Sequence, residues 1–351
     1  MEFAFTEEQA MIADTVRGFF AENATSERTR DAMAQDGIDR ALWSAFCAAM
    51  GLSGIGLSEE YGGSGLGMVE FAIVAEAAGA RVAALPMLGL ATAGRAIAAG
   101  GSAEQRGEWL PQLVSGEAIA AWADGATVCY AEGRLKGEAR FVPHGAIANM
   151  LIVHAADDAW LIRADSPGVC AAAHTTMDQT RPLATVTFDD AAAEPLADPA
   201  SAIAAAQAGG WLCLAAEALG GAQACLDRTV EYARERVQFG RPIGSFQAYK
   251  HRLADMMIEI EQARSAVYWA ACAVDEESDE ELVALHAAKC FCADAFFKCA
   301  GDMIQLHGGI AFTWEHDAHL LFKRARSIQS MLGDGEYHRE QIARNLLDEA
   351  A

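Results

Sequence analysis

The chain has 351 residues, with 52% hydrophobic and 21% charged side chains, which is the composition of a folded protein with a large apolar core. Its 49 acidic residues outnumber 26 basic ones for a formal net charge of −23, which argues against binding to a nucleic-acid backbone while leaving room for a local basic site for a phosphorylated small molecule. Its apolar stretches, such as Gly209 to Leu219 with Glu217 inside it, read as too broken for a membrane span, and the N-terminus lacks a basic segment followed by an apolar one, so a cytoplasmic location is expected.

Residues 1–117 read as a mostly helical N-terminal domain. Thr6 and Gln9 have the spacing of a reciprocal N-terminal cap. Met11, Val16, Phe19 and Phe20 then recur at helical spacing and predict one buried face. Further helices are expected near 39–50, 68–80, 87–99 and 103–114. The Gly-rich stretch Gly51–Gly67 between them is a loop in which the backbone turns sharply or approaches something closely; it lacks the Lys-Ser/Thr ending of a phosphate loop.

Residues 118–200 change character. Met150–Val153, Trp160–Ile162 and Ala184–Phe188 are short apolar runs separated by Asp, Gly and Pro, the pattern of a compact β domain. From 201 to 351 long helices return, near 201–235, 245–274, 279–306, 314–331 and 336–348, and predict a bundle. Nine cysteines are scattered without metal-ligand or disulfide spacing, since Cys290 and Cys292 fall on different helix faces, and they read as small buried hydrophobes. Glu315-His316-Asp317-Ala318-His319 also lacks the spacing of a metal site, and no metal is expected.

Two segments in the bundle region carry chemistry. Arg236-Val237-Gln238-Phe239-Gly240-Arg241-Pro242-Ile243-Gly244-Ser245-Phe246-Gln247 joins two helices through a Gly/Pro-broken loop. An arginine there offers a planar fork of donors for phosphate, and phenylalanine a face for a flat ring. Gln305-Leu306-His307-Gly308-Gly309 ends another helix with polar groups and exposed backbone. Read alone, Arg236 could equally pair with Glu231, Glu235 or a neighbouring subunit.

Together with Glu59-Glu60-Tyr61-Gly62-Gly63-Ser64-Gly65-Leu66-Gly67 and Glu76-Ala77-Ala78-Gly79, these segments resemble the signatures of the acyl-CoA dehydrogenase family, in the family's order and over essentially the whole chain. The resemblance implies a mainly α fold with an N-terminal helical domain, a small central β-barrel and a C-terminal four-helix bundle. It implies FAD as cofactor, an acyl-CoA substrate, an electron-transfer flavoprotein or similar acceptor, and a place in lipid metabolism. Carried over residue by residue, Arg236 meets the flavin pyrophosphate; Gln238, Phe239, Phe246 and Gln247 contact the nucleotide; and Gln305, Gly308 and Gly309 line its path.

The resemblance fails at the catalytic base. The family's reaction removes a proton beside the thioester carbonyl with a glutamate and passes a hydride to the flavin. The usual position of that glutamate holds Leu332, and the alternative position in the first bundle helix holds Gly210. Glu217, alone in an apolar stretch, is either a displaced base or a structural partner, and Asp334 and Glu336 are lesser candidates. Where relatives have Thr-Glu-Pro before the β domain, this chain has Ala121-Trp122-Ala123, and Trp122 is either a stacking partner for the flavin ring or part of the barrel core. Lys323, Arg324 and Arg326 form the densest basic cluster, suited to subunit contacts or to coenzyme A phosphates. The family includes heteromers in which one subunit brings the glutamate and another completes the FAD site, associated with bulky acyl groups such as those of steroid degradation. The resemblance therefore implies FAD-dependent α,β-dehydrogenation as a subunit of a heterotetramer with a paralogue. A self-sufficient dehydrogenase using Glu217 and a non-catalytic structural subunit are the alternatives.

Overall fold

The computed structural model describes residues 5–348. Helix α1 (Glu7–Asn23) starts at the expected cap: Thr6 Oγ1 accepts from the Gln9 amide and the Gln9 side chain accepts from that of Thr6. Its buried face is Ala13, Val16 and Phe20, whereas Met11 is 69% exposed. An apolar residue at nearly the right phase was thus misread as core; small Ala13 carries that position. α2 (Ser26–Met33) is polar and short, and its mean pattern gave no apolar stripe to detect. α3 (Arg40–Ser44), capped by Asp39, runs on into a π-helical turn at Ala45–Ala49. α4 (Met68–Gly79), α5 (Met87–Gly89), a second π-helical turn (Leu90–Gly94), α6 (Arg95–Gly100) and α7 (Ala103–Ser115) follow.

The Gly-rich loop folds on itself. A Cβ at Gly63 would lie 2.2 Å from the Leu57 carbonyl, so the close approach inferred from its glycines is to its own backbone.

Eight strands form two sheets. β1 (Ala120–Asp124), β4 (Met150–Ala155), β5 (Asp158–Arg163) and β8 (Glu194–Pro195) lie in the order β1-β4-β5-β8. β2 (Cys129–Ala131), β3 (Arg134–Pro143), β6 (Val169–Ala173) and β7 (Leu183–Ala192) lie in the order β2-β3-β7-β6. Only β1 and β4 pair in parallel. Alternate residues of both sheets, among them Ala121, Leu151, Val153, Trp160, Val186 and Phe188, meet in one shared core, the small barrel implied by the sequence. Trp122 is not in that core. It lies on the opposite face of β1 from Ala121 and Ala123, is 8% exposed, and stacks on His154 with ring centroids 5.4 Å apart.

The remaining helices are α8 (Pro199–Glu235), α9 (Gln247–Asp275), α10 (Glu281–His307), α11 (Ala318–Ser330) and α12 (Gly335–Asp348), with a short hairpin of β9 (Val237–Gln238) and β10 (Arg241–Pro242) between α8 and α9. A 3₁₀ turn at Gly308–Phe312 is followed by bends and turns over residues 313–317, so α11 starts at Ala318 and not at the expected 314. α8 is long and apolar enough to cross a membrane, contrary to the sequence reading, but 78% of its most apolar stretch is buried within the protein, as in a core helix.

The chain divides into two compact units. One comprises residues 27–71 and 84–210, with the barrel at its centre. The other comprises residues 1–26, 72–83 and 211–351, and here the helices pack closely through glycine. A Cβ at Gly220 on α8 would fall 1.8 Å from the Glu76 carbonyl on α4, and one at Gly79 would fall 2.2 Å from the Glu217 carbonyl. Across the same contact Glu76 accepts from Arg264 (2.7 Å) and Tyr268 (2.7 Å) of α9, so its buried carboxylate is fully engaged.

Candidate active site

Three helix ends of the second unit carry the eight residues assigned to cofactor binding. α8 stops at Glu235, and the chain reverses through a two-residue turn in which Phe239 (φ 53°) and Gly240 (φ 75°) are both left-handed. The turn leaves the Phe239 ring 92% exposed. Arg236, one residue after the helix, is exposed, and its carbonyl accepts from Ile243 (2.8 Å), closing the base of the hairpin. Phe246 sits at the start of α9 with the Arg241 guanidinium 4.0 Å over its ring and the edge of Phe239 at 6.1 Å. Gln238 and Gln247 are exposed beside it.

The second group ends α10. Gln305, Gly308 and Gly309 are exposed. Gly308 takes φ 67° and ψ −143°, a conformation reserved for glycine, and a Cβ at either glycine would meet nothing within 4 Å. Two side chains tie the groups together. Tyr249 of α9 donates to the Leu306 carbonyl (3.1 Å), and Tyr232 of α8 stacks on His307 with centroids 4.5 Å apart. Sequence reasoning passed over Tyr232, Tyr249 and His307, although His307 lies inside a quoted motif.

Leu332, which the resemblance puts at the base position, lies in the loop between α11 and α12. Leu332 adopts φ 53°, and its carbonyl accepts from the Trp211 indole (2.9 Å). Lys289, 1% exposed, donates to the carbonyls of Ile328 (3.0 Å), Gln329 (3.4 Å) and Gly333 (2.5 Å), closing the end of α11 from within the core. Burial lowers its pKa to about 8. Next to it His286 and His338 share a hydrogen bond between Nδ1 atoms (2.7 Å), so one ring donates and the other accepts. Burial pushes them to about 4 and about 3, and Lys289 lowers His338 further. Nothing in the spacing of these residues announced the cluster.

The candidate acids are occupied elsewhere. Glu217 is 4% exposed, and its carboxylate lies 3.8 Å from the Arg324 guanidinium, itself 2% exposed. Arg324 is therefore a core residue and not part of a surface basic cluster; Lys323 lies over the Trp314 ring and Arg326 donates to Gln329. Asp334 caps α12 by accepting from the Tyr337 amide (2.9 Å), which holds its pKa down, and Glu336 is exposed. Gly210 lies inside α8. His316 caps α11, accepting from the Ala318 amide, and Asp317 pairs with Arg228 at 3.0 Å. Of the nine cysteines, all free, Cys129 and Cys170 are exposed on strands, so the buried reading fails for these two.

Residues 6–117 match the acyl-CoA dehydrogenase N-terminal domain, and residues 201–347 match the acyl-CoA dehydrogenase C-terminal domain. The chain belongs to the acyl-CoA dehydrogenase family. It is thus a flavoprotein oxidoreductase. It is 39% identical over 328 residues to the acyl-CoA dehydrogenase IpdE2 of Mycobacterium tuberculosis, covering 93% of each chain. Among solved structures it is similar to a chain of the ChsE4–ChsE5 complex of Mycobacterium tuberculosis, with TM-score 0.92, 28% identity and 99% of each chain covered. It is also similar to a variant of the Tcur3481–Tcur3483 steroid ACAD, with TM-score 0.90, 30% identity, and coverage of 98% of this chain and 99% of that one.

Proposed function

We propose that this chain dehydrogenates an acyl-CoA thioester at its α,β bond as one subunit of a heteromer, holding FAD at the converged helix ends while a paralogous partner supplies the glutamate base. The observation that carries this reading is Leu332 at the base position, a side chain with no proton acceptor, in a loop whose backbone is engaged by Trp211 and Lys289.

The residues present fit FAD. Open space at Gly308 and Gly309 admits a flat or phosphorylated group against the backbone, Arg236 presents a free-facing fork of donors, and Phe239 exposes nearly all of its ring. Bound FAD would supply the hydride acceptor. Arg236 would pair with its pyrophosphate, Gln238 and Gln305 would give hydrogen bonds, and Phe239 and Phe246 would shield the nucleotide from water.

The two heteromer-named and steroid-named neighbours support a bulky acyl group, such as a steroid side-chain or ring fragment, and a paralogue as partner. An electron-transfer flavoprotein or similar carrier would reoxidise the flavin, in the cytoplasm. Glu217 as a displaced base is the second reading, and its ion pair with Arg324 favours a structural role instead. Co-purification with a Glu-bearing paralogue, followed by flavin absorbance and reduction with a panel of acyl-CoAs, tests the proposal. Only the pair should reduce its flavin at dehydrogenase rates; reduction by the isolated chain would overturn the heteromer reading.

A further inference from the structure

The turn after α10 is set by a side chain outside the proposed cofactor contacts. His307 is 5% exposed, and its Nδ1 lies 2.8 Å from the Met303 carbonyl one turn back. A carbonyl only accepts, so Nδ1 carries the proton and the neutral ring leaves Nε2 bare. The ring stacks on Tyr232 with an interplanar angle of 18° and also meets His316, centroids 4.7 Å apart. It is thus held from α8, from its own helix and from the residue that caps α11, immediately before the left-handed Gly308.

We propose that His307 is a positioning residue for the cofactor: clamped as a neutral ring between Tyr232 and His316, it fixes the path of Gly308 and Gly309 against which the nucleotide half of FAD lies. This rests on the FAD reading above. The electrostatic setting supports it. Burial disfavours a positive charge on the ring, the hydrogen bond to Met303 opposes it, and His316 and Arg228 act with burial, so the His307 pKa is lowered. Asp317, next to His316 in the chain, pairs with Arg228 at 3.0 Å. Tyr232 stacks on the ring from α8, Tyr249 of α9 gives its hydroxyl to the adjoining Leu306 carbonyl, and Arg81 adds a further positive charge beside Arg228. Protonating His307 places an uncompensated cation in the stack and loosens the turn.

The test is FAD affinity of the full chain, read from flavin fluorescence between about pH 7.5 and 5.5, with thermal melting recorded alongside. Wild-type protein should lose affinity progressively across that range, by up to about tenfold. H307F keeps a flat ring without a titrating group, and H307N keeps a donor for the Met303 carbonyl; at least one should fold, bind FAD at pH 7.5 and show a flat profile. H316Q should retain most of the wild-type slope. A folded H307F or H307N with the wild-type pH slope, or a wild-type profile that is itself flat, overturns the inference. Failure of wild-type protein to bind FAD at pH 7.5 instead overturns the cofactor reading.

Discussion

Glu217 and Arg324 bury opposite charges against each other in a largely apolar helical core. Removing one partner of such a pair strands the other in a medium that solvates it poorly, at a cost of about 3 kcal/mol or more. Glu217→Gln is therefore expected to lower the melting temperature while leaving flavin content and the chemical step of a functional heteromer nearly unchanged. A rate loss of orders of magnitude at unchanged melting temperature would identify Glu217 as a base. Phe239 makes a second residue-scale case. A phenylalanine at φ 53° is strained, and asparagine is the side chain most at ease there. Phe239→Asn should stabilise the flavin-free protein slightly, by about 0.5–1 kcal/mol, and weaken FAD binding, since the exposed ring is lost. Equal flavin affinity in the variant would show that the ring makes no cofactor contact.

At the scale of elements, the close crossing of α4 and α8 leaves no volume for a methyl group. Gly220→Ala would drive a Cβ into the Glu76 carbonyl, and because that atom belongs to a helix backbone neither side can yield cheaply. A loss of about 3 kcal/mol or more in denaturant unfolding is expected, and a variant as stable as wild type would mean that the helices separate freely. Such glycines also show where the sequence could be read. Long helices were legible from periodicity, so that expected 245–274 and 279–306 became Gln247–Asp275 and Glu281–His307. The capping box at Thr6 was legible from two residue types three positions apart. α2 was not, because a polar eight-residue helix has no stripe. The turn over residues 313–317 that shortens α11 was hidden too, since that segment has the composition of a helix start. At the site, the family motifs located the helix ends, whereas Lys289, His286 and Arg324 were invisible: buried ionisable residues look like surface ones until their partners, 39 or more positions away, are known.

For the whole molecule, the His286–His338 pair and Lys289 make stability rise with pH in two separate windows. The histidines titrate near 6.5 when unfolded but near 4 and 3 in the native protein. Below about pH 6.5 the unfolded chain takes up protons that the native one refuses, so stability is whole above that pH and falls as pH drops towards 4. Chemical denaturation at pH 5 should cost at least about 2 kcal/mol relative to pH 7, and His338→Phe should shrink that difference. Lys289 works in the same sense at higher pH. Its native pKa near 8 lies below the unfolded value of 10.5, so the unfolded chain binds more protons between the two and stability rises with pH across that interval. Lys289→Met should abolish the rise while loosening residues 328–333, a change that hydrogen exchange would register as faster amides in that segment.

The indole that holds the Leu332 carbonyl is also a chromophore. Trp211 lies with its ring centroid 4.4 Å from that of His286 and 5.5 Å from that of His338. A neutral imidazole leaves indole emission largely intact, whereas an imidazolium at such range quenches it. The Leu332 loop therefore carries a built-in optical gauge, whose brightness reports the ionisation of the histidines and whose wavelength reports water reaching the Leu332 carbonyl. A partner subunit that reshapes this loop on assembly would announce itself in the emission spectrum before any turnover is measured.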